Sequence, residues 1–120
     1  MIYNIFLFFL FIFVEMKKYF PYPSDKPDKK YFIITSNDRK IYFGSAKNKD
    51  YTIYYKEQGR EVANIKRNAY IARHSKLNEN YGKSGVDSAG WWSRFFLWEE
   101  PNKKEAYKKI KNKLLRWNII

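Results

Sequence analysis

The chain has no cysteine, which excludes disulfides and thiolate metal sites outright. It has one histidine, His74, and a lone imidazole cannot make a zinc site without several carboxylates beside it. Acids are scarce, with 12 against 24 lysines and arginines, giving a net charge of +12. No internal repeat or low-complexity tract appears. Gly-x-Ser-x-Gly, His-Glu-x-x-His and carboxylate pairs at usable spacing are all missing, so no catalytic motif supports an enzyme. The expectation is a non-enzymatic protein, with no cofactor and no metal.

What is present is aromatic and basic. At 120 residues there is room for one small domain. The chain is 45% hydrophobic, and Phe, Tyr and Trp alone make up 21% of it, so its core is aromatic rather than aliphatic. Tyr81–Trp98 concentrates this: a glycine-punctuated loop runs into Trp91, Trp92, Phe95, Phe96 and Trp98. Large rings carry the most apolar area per residue and belong in a core or at an interface. The cationic excess attracts polyanions: nucleic acid, anionic lipid or an acidic protein. An AT-rich genome also yields a Lys-, Asn- and Tyr-rich chain, so charge alone selects no partner.

Ile2–Val14 is apolar except for Asn4. Thirteen residues of helix rise about 20 Å, short of the ~30 Å hydrocarbon core of a bilayer. Three readings stand. Met16 is the true start; or the segment is a short anchor with Lys17 and Lys18 at the headgroups; or it is an apolar helix buried against a partner. Phe20–Lys30 then holds three of the four prolines and reads as an extended arm.

Tyr31–Thr35 and Lys40–Gly44 flank the turn residues Ser36-Asn37-Asp38-Arg39 and predict a β-hairpin. Tyr51–Lys56 alternates Tyr51, Ile53 and Tyr55 on one face and predicts a third strand. After Gly59, Val62, Ile65, Ala69 and Ala72 form a helical stripe over Arg60–Leu77, with Lys66, Arg67, Arg73 and Lys76 largely off it. Asn78–Gly90 is loop, and Trp91–Trp98 is a short helix whose rings surround too much of the axis to face one way. In Lys103–Trp117 the stripe is Tyr107, Ile110, Leu114 and Trp117. Lys103, Lys104, Lys108, Lys109, Lys111, Lys113 and Arg116 cover the rest, against Glu105 alone.

Three constellations invite chemistry. Gly82-Lys83-Ser84 lacks the upstream glycine of a phosphate loop, since position 77 is Leu, and no strand precedes it. Arg73 and His74 with Glu79 and Asp87 could assemble an acid–base or metal site, although helix C-capping also explains His74. Ile41-Tyr42-Phe43-Gly44-Ser45, after the strand at Tyr31, partly resembles the strand pair of GIY-YIG nucleases. Here the first motif, Tyr31-Phe32-Ile33, lacks its glycine, and YTIYYK intervenes where that family's catalytic helix follows. Arg60, Arg67 and Glu79 are the residues that could be forced into its roles.

A longer resemblance runs through the second half: Tyr70-Ile71-Ala72-Arg73-His74, Asn78-Glu79-Asn80-Tyr81-Gly82-Lys83-Ser84-Gly85, Ala89-Gly90-Trp91-Trp92-Ser93-Arg94 and Leu97-Trp98, with Pro101 beyond. In this order the motifs resemble a small uncharacterised protein family of nucleocytoplasmic large DNA viruses, over about residues 31–113. Trp92 and Glu99-Glu100 depart from its pattern. The family brings no established activity. The resemblance implies a viral source and a component packed in the virion.

The expected fold is α+β: a small three-stranded antiparallel sheet packed against two or three helices, with an extended N-terminal arm. Residues 1–30 form the apolar segment and arm, and residues 31–118 the single domain. The leading function expected is a non-enzymatic virion structural protein, a minor capsid or capsid-lattice component. Its partners would be other capsid proteins, and an anionic membrane through the N-terminus. The alternative is a basic module binding DNA or RNA non-specifically. The expected contact residues are Lys103, Lys104, Lys108, Lys111, Arg67 and Arg73. Trp91, Trp92, Phe95 and Trp98 are the expected core or interface aromatics.

Overall fold

A computed structural model describes residues 16–120. The apolar segment Ile2–Val14, with its three readings, lies outside the described residues. Among the described residues no helix is long and apolar enough to cross a membrane.

The fold is α+β, with a three-stranded antiparallel sheet in the order β1 (Tyr22–Pro23), β2 (Lys29–Ile34), β3 (Lys40–Ser45). The hairpin β2–β3 turns where the Asn and Asp stand, and Asp38 takes φ 61°, a left-handed conformation that Asp tolerates. Alternation along the strands sends Ile33 and Phe43 into the main core and Phe32 and Tyr42 to the opposite face. That second face is covered too. Tyr22 lies 5.7 Å from Phe32, and the Lys40 and Lys26 ammoniums sit over the Phe32 and Tyr42 rings at 4.5 and 4.2 Å.

The third strand is not the expected one. Tyr51–Lys56 lies in a helix, α1 (Tyr51–Gln58), because its ends are specified for helix. Asp50 caps it, accepting from the Ile53 N–H at 3.3 Å, and Gly59 at φ 90° breaks it. The period-2 pattern is better read as a helical neighbour pair, with Tyr51 and Tyr55 at 6.0 Å. The strand comes instead from the proline-rich segment, where Pro23 sits on an edge strand that does not need its missing N–H. Nor does this segment hang free: Tyr19 is buried and donates to Asp87 at 2.8 Å.

In α2 (Arg60–Ser75) the buried face carries Ala63 and Tyr70, with Arg67 and His74 half-buried beside them. The expected stripe points outward, and Ile65 is 61% exposed. The inner face was disguised because it is amphipathic rather than aliphatic.

The aromatic cluster forms α3 (Ala89–Trp92) followed by a wide, π-helical turn, Ser93–Leu97. This turn brings rings from around the axis onto one core. Trp91, Trp92, Phe96, Leu97 and Trp98 are all buried, while Phe95 is half-buried. Trp92 meets Phe43 of the sheet at 6.0 Å, and Trp98 stacks on Tyr70 at 4.6 Å. Both indole N–H groups donate to carbonyls of the preceding loop, Trp91 to Tyr81 and Trp92 to Val86. In that loop a Cβ on Gly85 would run into the Asn80 carbonyl, so glycine serves close packing there. Finally α4 (Lys103–Arg116), capped by Asn102, buries Ala106, Ile110 and Leu114.

Candidate polyanion interface

The cations of α4 sort into inward and outward sets. Lys103 turns in, donating to Asp50 Oδ1 at 3.1 Å and to Thr52 Oγ1 at 2.6 Å. Lys109 pairs with Glu100. Lys113 lies over the Phe95 ring, 3.3 Å from its centroid, and burial holds its pKa below the usual lysine value. Lys104, Lys108 and Lys111 remain exposed, with no carboxylate partner among the described residues. Their i, i+4, i+7 spacing makes one outward row about 10 Å long.

The two arginines of α2 part company. Arg67 is a structural clasp: it donates to the Glu99 carbonyl at 2.8 Å and to Asn64 at 3.3 Å, and its guanidinium lies 4.5 Å from the Tyr51 ring centroid. Arg73 instead lines an open groove of about 420 Å³ between α2 and the loop that follows β3. Lys47 and Lys49 from the loop, Lys66 and Arg73 from α2, and the Tyr54 and Trp98 rings line it. Lys49 is paired with Glu57 at 2.8 Å, and that bond raises its pKa. Lys47, Lys66 and Arg73 have no carboxylate partner among the described residues. Lys66 stands 5.4 Å from the centroid of the Tyr54 ring. Tyr54 is half-buried and therefore has ring surface left to offer. A basic groove with an aromatic wall suits a phosphodiester backbone carrying a planar base.

The other constellations do not assemble as chemistry would need. Lys83 and Ser84 lie in a single 3₁₀ turn, Lys83–Gly85, beside a hollow of about 660 Å³ that also holds Asp87. A phosphate there would face a carboxylate. Of the acid–base group, Asp87 accepts from the Tyr19 hydroxyl at 2.8 Å. His74 Nδ1 reaches Glu79 Oε1 at 3.5 Å without a hydrogen bond. Among the described residues no three His, Cys, Asp or Glu side chains gather for a metal.

A helix does follow the second strand directly, which removes one reason for setting the nuclease strand pair aside. The missing glycine of the first motif, Tyr31-Phe32-Ile33, still stands against it, and α1 contains no arginine. Arg60 is bonded to Tyr55 and Arg67 to Glu99.

One polar cluster is unaccounted for. Tyr70 Oη, His74 Nδ1 and Tyr81 Oη are buried without hydrogen-bond partners among the described residues. Tyr70 stacks on His74 at 4.1 Å, and burial drives its hydroxyl pKa far up.

The groove lysines Lys47, Lys49 and Lys66 were not legible as a site. Lys47-Asn48-Lys49 reads as a solvated loop until Tyr51–Gln58 is known to be a helix that folds it against α2. No family model matches the chain, and neither a curated protein nor a solved structure matches it.

Proposed function

We propose that the protein is a non-enzymatic binding module whose ligand is the backbone of a nucleic acid. The observation that carries this is the groove, where Lys47, Lys66 and Arg73, without carboxylate partners among the described residues, lie together with the Tyr54 ring. The row Lys104, Lys108, Lys111 adds a second cationic surface, suited to phosphates without reading sequence. Trp91, Trp92, Phe43 and Phe96 are taken up by the core, whereas Tyr54 is half-buried and lies in the groove beside Lys47, Lys66 and Arg73. Binding of a fluorescent single-stranded oligonucleotide tests this. Wild type binds at physiological salt, and Tyr54→Ala weakens it by roughly 1–3 kcal/mol. No binding at that salt refutes the proposal.

A second reading is a minor capsid or capsid-lattice component that contacts other capsid proteins in a virion. It is supported by Ile65 and Leu77, 61% and 65% exposed on α2 and just beyond it. In that case Ile65→Asp blocks incorporation into particles and leaves oligonucleotide affinity unchanged.

A further inference from the structure

A cleft of about 450 Å³ opens where β2 meets the first residues of α1 and α4. Asp50 stands in it with its side chain 4% exposed, flanked by Lys30 at 2.8 Å and Lys103 at 3.1 Å. One carboxylate thus serves two half-buried ammoniums, whose side chains are 14% and 23% exposed. No other acid lies within ion-pair distance of either among the described residues.

The hydrogen-bond inventory is also unbalanced. Each ammonium has three N–H donors. Lys30 uses one, on Asp50 Oδ2, and Lys103 uses two, on Asp50 Oδ1 and Thr52 Oγ1. Asp50 is further committed to the Ile53 N–H. The cluster therefore keeps three charged donors and one excess positive charge at the cleft. Burial depresses the pKa of Lys103 even with Asp50 in contact, as expected when one carboxylate is shared. The remaining walls are apolar: Pro23, the Tyr31 ring and Ile53.

We propose that this cleft is a binding site for a small amphipathic monoanion, a carboxylate carried on an apolar body about the size of one ring. The carboxylate oxygens take the free Lys30 and Lys103 donors and cancel the single excess charge. The body lies against Pro23, Tyr31 and Ile53. Ligand pockets commonly join mostly apolar walls to a few placed polar groups in this way. The site is separate from the nucleic-acid groove and does not depend on it.

Titration of the full chain with benzoate, followed by calorimetry or backbone amide shifts, tests the assignment, with benzamide and inorganic phosphate as comparators. Benzoate saturates one site and binds at least about tenfold tighter than benzamide, the scale of a charge-assisted hydrogen bond. Lys30→Gln keeps the Asp50–Lys103 pair but removes the excess charge, and lowers benzoate affinity about tenfold. Asp50→Asn keeps an N-cap and raises the local charge, so it strengthens binding. If Asp50→Asn does not fold, Lys30→Gln alone decides. Equal binding of benzoate and benzamide, or an unchanged affinity in Lys30→Gln, overturns the site. Phosphate binding tighter than benzoate overturns the amphipathic class.

Discussion

Asp50 Oδ1 and Lys103 Nζ meet at 3.1 Å across 53 residues of chain. Through this contact, the Lys30 pair and its capping bond, Asp50 joins β2, α1 and α4. Asp50→Ala removes the cap and strands two half-buried ammoniums. The expected loss is about 3–5 kcal/mol in urea unfolding, the scale for breaking a buried pair from one side.

The same residue sets an acid limit. Burial pushes the Asp50 pKa up, but the Lys103 charge and the Lys30 bond together outweigh it, and the folded value lies below 3.8. A carboxylate with a depressed folded pKa stabilises fully above its unfolded value and loses that contribution as pH falls through the folded one. The stability difference between wild type and Asp50→Asn should therefore be constant at neutral pH and shrink below about pH 4. A difference that grows on acidification would contradict the ion-pair role.

Trp92 is fully buried, and its indole holds the Val86 carbonyl at 2.8 Å. Trp92→Ala should cost about 3–5 kcal/mol. A melting temperature within a degree of wild type would place the ring outside the core.

The proline-rich segment is predicted to be part of the domain in solution. A chain beginning at Met16 should unfold cooperatively. A chain beginning at Lys29 keeps β2 and the Lys30–Asp50 pair but lacks β1 and the Tyr19–Asp87 bond, and should melt far lower or not fold. Equal melting temperatures for the two would show that the arm is dispensable.

Tyr70 gives a test of opposite sign. Its buried hydroxyl has no hydrogen-bond partner among the described residues. Tyr70→Phe keeps the stack on Trp98 and should stabilise the protein, by up to about 1–3 kcal/mol. Destabilisation would mean that the hydroxyl is bonded in solution.

The sequence announced some of this plainly and hid the rest for physical reasons. The last helix was legible because Ile110 and Leu114 repeat at helical spacing on a lysine background. The hairpin was legible because Asn37 and Asp38 mark its turn. Tyr51–Gln58 misled because aromatic and β-branched residues at alternate positions mimic a strand, while the decisive signals, Asp50 and Gly59, lie just outside it. The buried face of α2 lies beside its aliphatic stripe, since Arg67, Tyr70 and His74 turn inward with polar-tipped side chains while Ile65 is exposed. The lysine face of α4 was half legible. Periodicity puts Lys103 and Lys113 off the apolar stripe, but only the tertiary fold sets Asp50 and Phe95 beneath them.

The most direct measurement is the salt dependence of DNA affinity, compared between two variants. One carries Lys47→Gln, Lys66→Gln and Arg73→Gln in the groove; the other carries Lys104→Gln, Lys108→Gln and Lys111→Gln on α4. Each neutralised phosphate contributes about 0.9 to the slope of log K against log salt on duplex DNA. The groove variant should bind more weakly, with a slope flattened by roughly 2–3, while the α4 variant loses less. An unchanged slope in the groove variant, or wild-type affinity lost altogether at physiological salt, would contradict the account.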